Sequence, residues 1–293
     1  MNRETGQSIA SYFFLRSKER RAQGPVGKKG NLWSWIIFII GILYFFLPLF
    51  ATLEFSLRMI KDRYTFEAYR VAFTDPEFFI NFGYSLLWSV TTIIVSLLLV
   101  VPTAYWVHWR MRQARALVEF VTLMPFVVPA VVLVFGMSSL YGGGTKLFGH
   151  SILVLTPTPI LLVAGYVVLS FPYMYRAVDT GLRAIDVRTL TEAALSLGAG
   201  WRVILTQVIF PNLRVAILSG VFLTFAIVMG EFTFASLLSW PAFGPYMEEI
   251  GAMRAYTPQA LAIVSFILTW GSISLINWIG RGAPGQGQVA GAH

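Results

Sequence analysis

The chain has 293 residues, 56% hydrophobic and 12% charged, where a soluble globular chain carries about 25% charged residues. With a mean hydropathy of +0.68, this composition excludes a disordered or nucleic-acid-coating chain and argues against an ordinary soluble enzyme, because so much apolar surface has too little polar cover. The net charge of +8 arises from 22 Lys and Arg against 14 Asp and Glu, and the count of zero cysteines removes disulfides, thiolate metal sites and Cys nucleophiles.

In chain order, residues 1–30 form a basic tail. Ile9, Tyr12 and Phe13 recur at helical spacing ahead of Arg16, and two readings stand side by side: a short interfacial helix on the cytoplasmic face, or a disordered tail. The basic charge there suits contact with the lipid bilayer better than contact with nucleic acid.

Charge-free runs follow at Leu32–Leu53, Phe82–Val107, Phe120–Tyr141, Leu147–Tyr175 and Ala255–Gly280, and Val215–Met247 is broken only by Glu231. A membrane helix needs about 20 apolar residues, so these are six candidate spans and the expected fold class is an all-α membrane protein. The first run exceeds the roughly 7–15 apolar residues of a cleaved signal, so it reads as a retained helix. The fifth is too long for one span, and the pairs Trp240-Pro241 and Gly244-Pro245 are expected to end it. Pro125, Pro129, Pro157, Pro159 and Pro172 remove backbone donors and can bend the third and fourth spans. His108 and His150 have no carboxylate at ligand spacing and are expected at the surface. The stretch Gly142-Gly143-Gly144-Thr145-Lys146 lacks the spacing of a phosphate-binding loop and reads as a flexible outer turn.

Lys and Arg placement sets the orientation. With the N-terminus inside, the inner segments hold 16 basic residues and the outer ones 6, which favours both termini in the cytoplasm. The last segment, 281–293, is rich in Gly, Ala and Gln and reads as a disordered tail.

The longest inner loop runs from Arg176 to about Arg214 and is not loop-like in composition. Asp186 can cap a helix over Val187–Leu197. Gly198 and Gly200 interrupt it, consistent with a left-handed C-terminal cap and a sharp turn. A second short helix over Trp201–Ile209 leads to Pro211, which is expected to open the fifth span.

Within this loop Glu192-Ala193-Ala194, three residues, Gly198, nine residues and Val208-Ile209-Phe210-Pro211 resemble the EAA loop of ABC-importer permeases, of pattern EAA-x3-G-x9-I-x-L-P. Val208 and Phe210 replace the family's Ile and Leu and remain apolar. The resemblance extends over about Asn81 to Gly280 and implies a five-helix permease core (81–280) within a membrane domain of residues 31–280, the first span being an added helix. It implies that loop 185–211 is a cytoplasmic coupling helix seated on an ATP-hydrolysing subunit, so the ATPase-coupling residues are Glu192, Ala193, Ala194, Gly198, Trp201, Arg202 and Pro211. It further implies two ATP-binding subunits that carry the ATP and Mg, a second permease that is a copy or a homologue, an extracytoplasmic solute-binding protein, and a bacterial inner membrane location. The chain itself is then a non-catalytic transport subunit without a cofactor.

The residue types suit that role. Ala193 and Ala194 permit close helix approach, Trp201 is a large anchor of the kind enriched at interface hot spots, and Arg202 can pair with a carboxylate or cap a carbonyl. Glu192 reads as a partner of Arg188 one turn earlier or as part of a solvated face, and Trp201 alternatively as a lipid-interface anchor. Glu231, the lone acid in an apolar run, has to face a cavity, the bundle interior or a partner; it is either a translocation-path residue or a structural hydrogen-bonding group. Gly230–Trp240 resembles permeases of the polyamine, opine, phosphonate and ferric group, and polyamine-type substrates are the expectation. An ion-gradient-driven secondary transporter predicts paired acids and an inverted repeat, and a membrane enzyme predicts clustered nucleophiles; the sequence has neither.

Overall fold

A computed structural model describes residues 32–142, 146–147, 150–151, 155 and 158–281. The tail of residues 1–30, the turn residues Gly143–Thr145 and the segment 282–293 lie outside the described residues. The chain divides into two compact units, 1–51 and 52–293. The first supplies most of helix α1 (Leu32–Leu57), whose side chains from Trp33 to Phe50 are nearly all exposed, as suits a helix facing hydrocarbon.

In the second unit, α2 (Glu67–Thr74) leads to α3 (Pro76–Trp109), a 34-residue helix. At 1.5 Å per residue α3 is about 50 Å long, more than a bilayer core of roughly 30 Å. It starts at Pro76 behind the Asp75 cap, whose carboxylate accepts the Glu77 N–H at 3.1 Å. Helices α4 (Arg115–Val127) and α5 (Ala130–Tyr141) follow. A two-residue antiparallel ladder pairs Lys146–Leu147 with His150–Ser151. Then come α6 (Pro159–Arg183), α7 (Val187–Ser196), α8 (Trp201–Asn212), α9 (Arg214–Met229), α10 (Thr233–Leu237), α11 (Phe243–Met253) and α12 (Thr257–Arg281). Among the described residues, α1, α3 and α6 are long and apolar enough to cross a membrane, and up to five spans result if each of two bent pairs is one.

The expected boundaries shift where backbone chemistry overrides the charge-free criterion. The third run is two helices bent by 104° at Val128-Pro129. Val128 is extended (ψ 118°), as the residue before proline prefers, and Pro129 donates no hydrogen bond. The fourth helix starts at Pro159 and carries on past Tyr175 to Arg183, because Arg183 pairs with Asp179 one turn back. The fifth run stops at Met229 rather than at Trp240-Pro241. Gly244-Pro245 does not end it but lies in the first turn of α11, where proline is tolerated. Pro211 sits in the last turn of α8 rather than opening the fifth span, and α8 and α9 bend by 80°. Ahead of it, Ile204–Ile209 forms a π-helical turn in which the Phe210 N–H donates to the Leu205 carbonyl. A proline ring crowds the carbonyl four residues back and supplies no N–H, which favours this wider turn and the bend.

Helix α6 packs between α3 and α9. Small residues allow this: a Cβ on Gly181 would stand 2.5 Å from the Ala216 Cβ, and one on Gly220 2.7 Å from the Met174 sulfur. Hydroxyls join the same helices, as Ser96 and Ser170 share a 2.9 Å hydrogen bond at full burial. Close backbone approach and such hydrogen bonds hold helices together where lipid offers no hydrophobic drive. At one end Phe78 of α3, Tyr246 and Ile250 of α11 and Leu261 of α12 form an apolar cluster with Ala72 of α2.

Gly220→Leu should therefore destabilise the detergent-solubilised protein by about 1–3 kcal/mol, the range for overpacking, while Gly136→Leu, with no atom within 4 Å of its Cβ position, should not. Equal melting temperatures for the two variants contradict this packing.

Candidate functional site

The segment after α6 is a capped helix, a tight turn and a second helix. Asp186 receives the Thr189 hydroxyl at 2.7 Å and the Thr189 N–H at 3.1 Å, which fixes the start of α7. These bonds, the hydroxyl one foremost, hold the Asp186 carboxyl below the usual carboxylate range. At the other end Gly198 adopts φ +77°, a left-handed conformation that a Cβ disfavours. The Ala199 N–H closes on the Ala194 carbonyl at 3.0 Å and the Gly198 N–H on Leu195 at 2.9 Å. The predicted cap and turn are both present.

The two faces of this element differ. Inward, Val187 and Ala194 of α7 and Ile204, Leu205 and Ile209 of α8 join Tyr105 of α3 and Met174 and Leu182 of α6 in one buried cluster. The Tyr105 hydroxyl lies 3.2 Å from that of Thr191. Outward, Leu195, Leu197 and Trp201 expose 46%, 88% and 53% of their surface. Glu192 accepts from Arg188 Nε at 2.7 Å, the expected one-turn pair. Ala193, Arg202 and Pro211 are exposed, whereas Ala194 is buried against the protein's own core. Of the two alanines, only Ala193 faces outward. Leu197, the most exposed large apolar side chain of the element, was not singled out by sequence reasoning; its signal is an apolar residue directly before the turn glycine.

A polar cluster lies at the same end of the bundle. Asp179 of α6 receives His108 Nε2 at 2.7 Å, Arg183 at 2.6 Å and Arg115 at 3.5 Å. Glu119 of α4 takes Arg115 at 3.0 Å and Arg183 at 3.1 Å. His108 is thus not a surface residue, since its side chain is 12% exposed. Its carboxylate partner is 71 positions along the chain, beyond any local spacing rule. The cluster ties α3, α4 and α6 together just ahead of α7.

Glu231 sits at the break after α9. Its Oε1 accepts the Thr233 N–H at 2.7 Å, and its Oε2 accepts the Phe234 N–H at 2.9 Å and the Ala235 N–H at 3.4 Å. The carboxylate therefore supplies the acceptors that the start of α10 lacks. Beside it a cavity of about 550 Å³ lies between α3, α9, α11 and α12. Phe82, Leu86, Met229, Phe232 and Met247 line it, and the Glu231 carboxylate does not. Among the described residues no group of three or more His, Asp or Glu could hold a metal ion.

The apolar helices thus form a bundle that carries a capped, outward-facing helix–turn–helix at one end. The chain belongs to the family of binding-protein-dependent transport system inner membrane components, which matches residues 100–282, and it is an ABC-importer permease subunit of the inner membrane. It is similar to the molybdenum transport system permease protein ModB of Escherichia coli (strain K12), 28% identical over 225 residues, covering 71% of this chain and 95% of that protein. A probable molybdenum ABC transporter permease of Haloferax volcanii is 26% identical over 275 residues, covering 90% of this chain and 97% of its own length. Among solved structures, a bacterial alginate ABC transporter in complex with an alginate pentasaccharide-bound periplasmic protein shares the fold, with a TM-score of 0.63 at 14% identity over 88% of this chain and 98% of that one.

Asp179→Asn removes the charge of the one buried member of the network and should cost about 1–3 kcal/mol of stability. Glu192→Gln breaks an exposed pair and should cost at most about 0.5 kcal/mol. Thermal unfolding of both in the same detergent checks the contrast, and similar losses contradict it.

Proposed function

We propose that this chain is one of two permease subunits of an ATP-driven importer, with six spans and both termini in the cytoplasm, α12 completing the count. Residues 185–211 dock on a partner ATPase, and ATP and Mg belong to that partner. The second permease is a copy or a homologue. An extracytoplasmic solute-binding protein delivers substrate at the opposite end, where α2 and α11 meet. The observation that carries this reading is the two-faced α7–α8 element: an exposed apolar patch of Leu195, Leu197 and Trp201 outside, and a buried face continuous with the spans inside. An exposed patch of this kind marks a partner surface.

In this mechanism ATP draws the two ATPases together and displaces the patch. The displacement passes through Ile204 and Ile209 to Leu182 and Tyr105, and so to α6 and α3. These helices then rock between inward and outward openings, which admits solute from one side at a time.

The substrate is a small polar solute. We infer an inorganic oxyanion rather than a polyamine-type cation. Glu231, the lone acid of the apolar run that a cation could pair with, has both oxygens engaged in capping α10, and the two relatives above are named for molybdenum. Ion-gradient coupling calls for acids free to bind the driving ion, and capping does not leave Glu231 in that state.

Leu197→Asp with Trp201→Asp should lower co-purification of the ATPase and solute uptake by roughly tenfold or more, hot-spot residues each contributing about 2 kcal/mol or more. The purified double variant should unfold at the wild-type temperature, since both side chains are exposed. Unchanged uptake contradicts the docking role. Glu231→Gln should lower stability while leaving the order of substrate preference intact; a change in preference at wild-type stability returns Glu231 to the translocation path.

A further inference from the structure

A second concavity lies where α3 gives way to α4. It has a volume of about 580 Å³ and is walled by Trp109, Arg110, Met111, Arg112 and Gln113 of the connecting turn and by Arg188 of α7. Three arginines from two distant chain segments therefore border one hollow.

Among the described residues two of the three charges, those of Arg110 and Arg112, have no carboxylate partner, whereas Arg188 lies beside Glu192 and Asp186. Arg188 gives its Nε to Glu192, and its side chain is 69% exposed. The Arg110 guanidinium lies 4.9 Å over the Trp109 ring. That ring is stacked on Tyr105 at 5.8 Å, and the Tyr105 hydroxyl meets Thr191 of α7. One wall of the hollow is thereby fixed to the helix that carries the other. The arginines are not needed to close the end of α3, since the Arg110 and Met111 N–H groups already satisfy the Trp106 carbonyl at 2.9 and 3.1 Å.

Orientation of the chain in the membrane needs basic residues on one side, but it does not need them to converge. Converging like charges repel, and the arrangement is favourable when an anion joins them. Guanidinium forks match phosphate oxygens in pairs. Basic pockets between membrane helices on the cytoplasmic side suit lipid head groups. Met111, 54% exposed beside the arginines, offers apolar contact next to the charge.

We propose that the Trp109–Gln113 turn and Arg188 form a binding site for a phosphate group, supplied by an anionic phospholipid head group or by free phosphate. The site bridges the α3–α4 turn and the coupling helix. It rests on the proposed cytoplasmic placement of the α3–α4 turn and shares Arg188 with the docking segment, but Arg110 and Arg112 lie outside residues 185–211, so variants there make its failure and that of the docking reading separable.

The test uses the intact transporter complex. In nanodiscs of phosphatidylglycerol and phosphatidylcholine, native mass spectrometry should show phosphatidylglycerol retained in excess over its bulk fraction. Arg110→Gln with Arg112→Gln should reduce that excess roughly tenfold or more, on the scale of two surface arginines near an anionic membrane. Arg70→Gln, on α2 ahead of the opposite end of α3, should leave it unchanged, and Arg112→Lys, which keeps the charge without the fork, should fall between. In lipid-depleted detergent a saturable thermal shift with inorganic phosphate, absent in the double variant, assigns the site to free phosphate instead. Lipid retention and phosphate shift both equal to wild type in the double variant overturn the proposal. So does loss of the ATPase subunit with lipid content unchanged, which makes the hollow a protein contact.

Discussion

The inner face of α7 and α8 is buried in the same apolar cluster as the ends of α3 and α6, and the rest of the architecture depends on that shared core. Ile204, Ile209 and Leu213 are at most 1% exposed, as are Tyr105 and Leu182 across from them. An element packed in this way cannot swing independently without opening a cavity, and closely packed interiors resist that. Force applied at Leu197 or Trp201 therefore reaches the spans through rigid contact rather than through a hinge. The polar cluster around Asp179 braces the same region by linking α3, α4 and α6.

A second constraint governs the irregular stretches. Backbone breaks inside a membrane protein have to be satisfied internally. The break after α9 is met by the Glu231 carboxylate, which receives the N–H groups that open α10. The π-helical turn before Pro211 and the extended Val128 before Pro129 are the responses to two prolines. In each case the departure from a straight helix has a named side chain or ring behind it.

Much of this was legible in the sequence. Asp186 as a cap, Gly198 as the left-handed turn and the Arg188–Glu192 pair are local features, set within a few residues, and the structure has all three. The EAA spacing carried the family. Span boundaries were less legible, because a charge-free run neither ends where a proline or capping acid ends a helix nor extends through paired charges such as Asp179 and Arg183. The His108–Asp179 contact and the inward turn of Ala194 were hidden for another reason. Each depends on which helix packs opposite, information that resides in tertiary contacts and not in local spacing.

The central claim is that the α7–α8 element moves as one body with the spans. The chain holds no cysteine, so Cys introduced at Ala193 and Thr103, both exposed, can be spin-labelled selectively within the assembled transporter. Pulsed electron resonance then gives the distance between α7 and α3 with and without ATP. A rigid connection predicts the same distance distribution in both states. A change of about one helical turn, roughly 5 Å, would show the element moving independently of α3 and contradict the claim.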